Sequence, residues 1–226
     1  VATRLKEIIG GSFFVLSMSL PASAGIIDLR DLPGNFDQGT FGATGTGTEH
    51  YAQSLTADDS SLVELIFGIN DLQGGSFRAQ ITGARSAGLA GTGAAPDAEN
   101  ILFEQTLNHL GGGLQWFTIN PGVATTVGDI YFLNLNGFDG TLETALVRAT
   151  EYGGTDQYAG GEFLFSNDDS DLSNSLFWSS RYSVNEDLAI RAVFGEGAPE
   201  EVPVPAPLVL LGLGLAGLGW KRHTKA

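Results

Sequence analysis

The stretch Ser166–Asn174 (SNDDSDLSN) concentrates three aspartates, Asp168, Asp169 and Asp171, among asparagine and serine residues. Hard oxygen ligands at short spacing on a loop are what Ca²⁺ prefers, and even a weak site would fill at extracellular calcium levels. The run lacks the glycine and the closing glutamate of an EF-hand loop. The three aspartates are therefore a candidate calcium site, and the interpretation we prefer is a solvated acidic turn between strands.

Aromatic side chains provide a second kind of chemistry, because their flat faces stack on the apolar CH faces of sugar rings. The aromatic residues considered for this role are Trp116, Tyr158, Trp178 and Tyr182. In LFWSSRYS, Trp178 and Tyr182 fall on one face of an alternating strand, with Arg181 beside them. Trp178, Tyr182 and Arg181 are the predicted sugar-binding residues. The alternative, which we prefer for both tryptophans, is packing in the core.

Catalytic signatures are sparse. The 226-residue chain has no cysteine, which excludes disulfides, zinc–thiolate sites and cysteine nucleophiles. His50 and His109 lie in no metal-binding motif, and we predict each at the surface or in a turn. No GxSxG nucleophile elbow is present. A glycosidase-type carboxylate pair stays open, although nothing in the sequence marks a particular glutamate as a buried acid.

The charge is strongly acidic and unevenly distributed. The chain has 26 acidic and 11 basic side chains, a net charge of −15, whereas residues 25–202 hold six Arg, no Lys and 25 acids, which gives −19. An acidic surface repels phosphate, so we expect no nucleic-acid partner. A hydrophobic content of 42% with 10% aromatic residues supports a folded core rather than disorder.

Short alternating runs separated by Gly, Asn, Asp and Pro turns fill the middle of the chain. Phe77, Ala79 and Ile81 share one face of such a run, and Asp187–Phe194 alternates in the same way. This pattern predicts an all-β fold, an antiparallel β-sandwich of jelly-roll type with about ten strands. We place the β-sandwich domain at residues 48–195, after a flexible lead-in at 25–47. Residues 141–150 could instead form a short helix.

The amino-terminal residues 1–24 have the layout of a secretory signal peptide. Arg4 and Lys6 precede an apolar run, and Ala22 and Ala24 provide the small-residue spacing that signal peptidase requires. We predict a signal helix that is cleaved after Ala24. The alternative is a buried core helix.

The carboxyl-terminal segment has three parts. Residues 196–206 form an acidic, proline-rich linker, residues 207–220 an uncharged transmembrane helix, and residues 221–226 a basic tail that stays cytoplasmic by the positive-inside rule. From Val202 to Trp220, 19 residues would rise about 28 Å as a helix, close to the thickness of the hydrocarbon core.

This tail resembles the PEP-CTERM sorting domain of Gram-negative bacteria, in its VPLPA-type variant. The matching residues are the motif Val202, Pro203, Val204, Pro205 and Ala206, the Gly/Leu run, and the cluster Lys221–Arg222. Val204 stands where the usual form has Glu. The resemblance implies an inner-membrane-anchored precursor, recognition by an exosortase, and delivery to the cell surface or extracellular matrix.

Parts of residues 49–194 also resemble lectin-like or carbohydrate-binding-like β-sandwich modules found with such tails, through HYAQSLTA, GSFRAQITG, DQYAGGEFLFSND and DLAIRAVF. We therefore expect an exported, non-enzymatic surface or matrix protein that binds extracellular polysaccharide, with no cofactor other than possible calcium. The alternatives are an extracellular carbohydrate-active hydrolase and a passive biofilm-matrix protein.

Overall fold

The computed structural model describes residues 25–43, 48–85, 94–150, 156–167, 179–180 and 186–195. For Ser179 and Ser180 it describes the backbone alone. Several predictions concern residues outside these ranges: the signal peptide, the sorting motif and transmembrane segment, the calcium candidates Asp168, Asp169 and Asp171, and the sugar-binding candidates Trp178, Arg181 and Tyr182.

Within the described residues every regular element is a β-strand. The strands, numbered in chain order, are β1 Ile26–Asp28, β2 Phe36–Phe41, β3 His50–Thr56, β4 Ser61–Asp71, β5 Gly75–Arg85, β6 Ala95–His109, β7 Gly113–Ile119, β8 Val123–Ala124, β9 Ile130–Asn136, β10 Ala145–Ala149, β11 Phe163–Ser166, β12 Ser179–Ser180 and β13 Ile190–Gly195. In this part of the chain no helix has the length and apolar character needed to cross a membrane.

The strands form two antiparallel sheets, and this confirms the predicted all-β sandwich. Sheet A has seven strands in the order β1-β13-β4-β10-β2, with β7 and β8 also paired to β4. Sheet B has six strands in the order β12-β11-β3-β9-β5-β6. The long strand β4 is the centre of sheet A, because it pairs with β13, β10, β7 and β8.

The core lies between the sheets and is organised around Phe77 of β5. Its ring meets Phe41, Phe67 and Phe117 edge-on, at centroid distances of 5.6, 6.3 and 5.1 Å. Edge-to-face geometry is favoured by the ring quadrupole and adds about 0.5–1.5 kcal/mol per pair beyond area burial. These four rings link strands of both sheets, so they fix how the two layers stack.

Residues 141–150, where the sequence allows either a helix or a strand, contain strand β10. Ala145, Val147 and Ala149 alternate into the core, whereas Leu146 and Arg148 are only half-buried on the outer face. In a strand, alternate residues face the same side, so all three apolar residues are buried against the facing sheet. This explains why the segment forms a strand rather than a helix.

Two strands occur where the sequence predicts a flexible lead-in at residues 25–47. β1 pairs with β13, and β2 pairs with β10. Phe41 at the end of β2 is completely buried in the core. The sequence FDQGTF does not read as a strand because its inward-facing residue Gln38 is polar. The amide nitrogen of Gln38 donates to the buried Glu186 at 3.0 Å.

The surface placement predicted for the two histidines is wrong. His50 is fully buried in β3, and His109 is buried at the end of β6. His109 does serve a turn: its Nδ1 accepts from the Gly111 backbone N–H at 2.9 Å, while its Nε2 lies 3.1 Å from the Ile69 carbonyl oxygen. An accepting Nδ1 leaves Nε2 as the donor, so the ring is neutral and bridges β4 to the β6–β7 turn.

Candidate functional site

Trp116 lies on the outer face of sheet A, with 38% of its surface exposed. Along β7, Phe117 and Ile119 turn into the core, whereas Leu114 and Trp116 alternate outward. The core packing preferred for Trp116 from the sequence is therefore wrong. An exposed indole on a sheet is a large apolar surface with one polar edge, which is the form of a ring-stacking platform.

Gly68 of β4 allows this platform to form. It is the cross-strand partner of Trp116. A Cβ atom at Gly68 would lie 2.9 Å from the Arg148 Cβ, 3.2 Å from Trp116 Cζ3 and 3.2 Å from Leu114 Cδ1. The missing side chain therefore lets the indole, the leucine and the arginine stem converge above the middle of sheet A.

A fixed polar group borders the platform. Arg148 Nη1 donates to Asp37 Oδ1 at 3.0 Å, and Asn70 Nδ2 donates to Asp37 Oδ2 at 2.6 Å. These three residues come from β10, β2 and β4, which are adjacent in sheet A. Holding both carboxylate oxygens orients the side chains without burying them, since Arg148 and Asp37 each keep 25% side-chain exposure.

A cavity of about 270 Å³ adjoins the polar group. It is lined by Asn70, Asp71, Leu72, Gln73, Thr144 and Leu146. Asn70 and Leu146 are cross-strand partners on the outer face of sheet A, so the cavity continues the same surface. We call the surface formed by Trp116, Leu114, Gly68, Arg148, Asp37 and Asn70 the tryptophan face. It offers an apolar plane, hydrogen-bonding groups and an adjoining recess.

The remaining aromatic candidates are described only in part, since Trp178, Arg181 and Tyr182 lie outside the described residues. The backbone of Ser179–Ser180, between Trp178 and Arg181 in the sequence, pairs with β11 in sheet B. Tyr158 is half-buried against the core, and its hydroxyl oxygen accepts from the Thr56 backbone N–H at 2.9 Å. Burial raises the pKa of the Tyr158 hydroxyl. Tyr158 therefore braces the fold rather than offering a free ring face.

The acids sort into paired, exposed and buried groups. Arg191 pairs with Glu64, and Arg78 pairs with Glu104 at 3.5 Å. Glu143 is exposed, and burial alone raises the pKa of the half-buried Glu162. Over the ranges that the structure describes, no group of three metal-ligating side chains comes together.

Asp187 is the acid that sequence reasoning missed, because it looks like an ordinary strand-flanking residue. It is 1% exposed, and burial raises its pKa to about 7 although two donors hold the carboxylate. Gln53 Nε2 donates to Oδ1 at 2.9 Å, and the Tyr158 backbone N–H donates to Oδ2 at 3.1 Å. Such a pKa suits a general acid, but a carboxyl sealed between two sheets cannot touch a polymeric substrate.

Comparison with protein-family models, with curated proteins and with solved structures finds no match to this chain. No activity or site residue can therefore be transferred from a relative.

Proposed function

We propose that this protein binds polysaccharide without catalysis, through the tryptophan face of an exported jelly-roll domain. The observation that carries the proposal is the exposed indole of Trp116, seated over Gly68 beside the ordered group Arg148–Asp37–Asn70. A pyranose presents an apolar CH face and a rim of hydroxyl groups. The apolar plane and the polar border of the tryptophan face complement these two features.

The jelly-roll assignment is supported by how the strands pair. Eight strands run in the order β2, β3, β4, β5, β6, β7, β9 and β10 along the chain. The first pairs with the last, the second with the seventh, the third with the sixth, and the fourth with the fifth. A long hairpin that is folded over into two sheets gives this pairing, which is the topology of a jelly roll.

Export supports an extracellular ligand. The basic start, apolar run and small-residue site in residues 1–24 favour secretion, and the proline motif, apolar run and basic end in residues 202–226 favour membrane tethering followed by exosortase sorting. An acidic domain without lysine suits an extracellular matrix, where it stays soluble and repels other acidic proteins. The proposed partners are therefore the two processing enzymes and a neutral polysaccharide.

Neither alternative is favoured by a specific observation. A hydrolase needs two reachable carboxyl groups on either side of a glycosidic bond. Glu64 and Glu104 are both held by arginines, and Asp187 is sealed in the core. A passive matrix protein predicts neither binding nor turnover of a polysaccharide.

Binding of the full-length chain to a panel of insoluble and gel-embedded polysaccharides tests the proposal. We expect retention on at least one neutral polysaccharide, and a loss of about tenfold or more in affinity for Trp116→Ala. Val127→Ala, which shortens an exposed apolar residue elsewhere, is the matched control. Trp178→Ala measures the contribution of the second candidate tryptophan. Retention that is unchanged in Trp116→Ala, or no binding at all, would overturn the proposal; turnover of a polysaccharide would favour the hydrolase.

A further inference from the structure

A second cavity, of about 430 Å³, opens on the outer face of sheet B at the end of β3 that holds Thr56. Apolar side chains of Phe132, Leu164, Ile130 and Ala94 contribute to its lining, together with Ser54, Thr56 and Glu162. Phe132 and Leu164 are buried and belong to one apolar cluster on this face. The volume lies within the range of roughly 300–1,000 Å³ that small-ligand sites occupy.

The hydroxyl groups of this cavity are already engaged by the fold. Ser54 Oγ accepts from the Glu162 backbone N–H at 2.7 Å, and Thr56 Oγ1 donates to the Gly160 carbonyl oxygen at 2.7 Å. The carboxylate of Glu162 is different, because no described side chain or backbone group donates to it. Burial is the cause that raises the pKa of this carboxyl.

The position of Glu162 is fixed by its backbone. The Ser54 N–H donates to the Glu162 carbonyl oxygen at 3.0 Å, in addition to the bond between the Glu162 N–H and the serine hydroxyl. The preceding turn lies so close to β3 that it requires glycine, since a Cβ at Gly161 would clash with the Ser54 carbonyl oxygen. The cavity therefore has a firm wall that carries one partly desolvated carboxylate.

We propose that this cavity binds a protonated primary amine on a body with an apolar face. The ammonium group would pair with Glu162, and the apolar face would lie against Ile130 and Ala94, which stay accessible beside the buried Phe132 and Leu164. A desolvated carboxylate gains most from a positively charged donor, which restores both the charge and the hydrogen bonds that burial removed. Residues 25–202 contain no lysine that could supply an ammonium group to this cavity. The amine could come from a free alkylamine or from an amino sugar of a polysaccharide.

Calorimetric titration of the full-length chain at neutral pH with n-butylammonium, glucosamine and N-acetylglucosamine tests this proposal. We expect at least one of the two amines to bind, and N-acetylglucosamine to bind at least tenfold more weakly, because acetylation removes the charge. Binding of glucosamine alone would identify an amino sugar as the source, and binding of butylammonium alone would identify an alkylamine.

Glu162→Gln keeps the shape of the side chain and the backbone bonds, and should weaken amine binding tenfold or more. Glu143→Gln, at an exposed acid in the β9–β10 loop, should leave amine binding unchanged. Failure of both amines to bind, equal binding of the acetylated sugar, or unchanged amine binding by Glu162→Gln would each overturn the proposal.

Discussion

Gln53 and Asp187 join the two sheets through the core. The Gln53 amide nitrogen donates to Asp187 Oδ1 at 2.9 Å, and the Gln53 amide oxygen accepts from the Leu188 backbone N–H at 2.8 Å. Both side chains are at most 1% exposed. A single amide from β3 in sheet B therefore fixes the segment that enters β13 of sheet A, and it satisfies a buried acid at the same time.

Replacing Gln53 should consequently destabilise the fold, although removing a polar side chain from a core is often tolerated when no buried partner is left behind. Gln53→Leu conserves volume but leaves the Asp187 carboxyl and the Leu188 N–H without their partner, which costs about 2–4 kcal/mol. The measurement is the free energy of unfolding by urea. The double variant Gln53→Leu with Asp187→Leu should recover part of the loss, because the orphaned carboxyl is removed as well. A single variant as stable as the wild type would contradict this role.

The raised pKa of Asp187 makes stability depend on pH in an unusual direction. Its pKa is about 7 in the folded chain, against about 3.9 for an ordinary aspartate. Between these values the folded state binds more protons than the unfolded state, so stability falls as pH rises from about 4 to 7 and then levels off. The difference between the folded and unfolded pKa of Asp187 corresponds to a few kcal/mol of stability, which is lost as the pH rises. Urea unfolding at pH 5 and pH 8 measures it.

Asp187→Asn separates this effect from the general repulsion of an acidic chain, which also grows with pH. The amide keeps the acceptor for Gln53 but cannot ionise, so the variant should have a flatter pH dependence and should gain stability relative to the wild type as the pH rises from 5 to 8. Equal slopes for the wild type and Asp187→Asn would show that another group carries the dependence.

The all-β fold can be predicted from the sequence because alternation of apolar and polar residues follows directly from the two-residue period of a β-strand. Phe77, Ala79 and Ile81 share one face in the sequence and lie buried together in the structure. The sequence does not predict β2 because the polar Gln38 occupies an inward position, where its amide nitrogen donates to the distant Glu186. Gln38 and Glu186 are 148 positions apart in the chain, so their contact leaves no local pattern in the sequence from which β2 could be predicted.

The candidate site was less predictable for the same reason. Trp116 was recognised as a residue able to stack on a ring, but its exposure depends on which face of β7 meets the core. The adjacent Phe117 and Ile119 take the inward positions, which sends Trp116 outward. Its neighbours Gly68, Arg148 and Asp37 come from three other strands, and only the register of sheet A brings them together.

Gly68→Ala tests whether the tryptophan face needs an open position beneath the indole. The added methyl group would lie 2.9 Å from the Arg148 Cβ, which is anchored to the backbone and cannot move aside. Overpacking of this kind costs about 1–3 kcal/mol, more than the ~0.4–1 kcal/mol gained from a less flexible unfolded chain. We expect net destabilisation, an altered Trp116 environment in fluorescence, and weaker polysaccharide retention.

Gly195→Ala is the matched control for that variant, because a Cβ there would meet only the Val63 methyl groups at 3.9 and 4.0 Å. It should be neutral or slightly stabilising, with unchanged retention. If both variants behave alike, the close approach at Gly68 is not what shapes the face.

Asn70→Ala tests the polar border of the tryptophan face, since Asn70 both holds Asp37 and lines the adjoining cavity. Losing the 2.6 Å bond should cost only about 1 kcal/mol of stability, because the group is partly solvated. Polysaccharide retention should fall several-fold further than this loss explains, since Asp37 and Arg148 lose their fixed orientation and the ligand loses the amide. Asn108→Ala, at an exposed asparagine of β6, removes the same side chain from sheet B and should change neither quantity. A stability loss in Asn70→Ala with full retention would restrict Asn70 to a structural role.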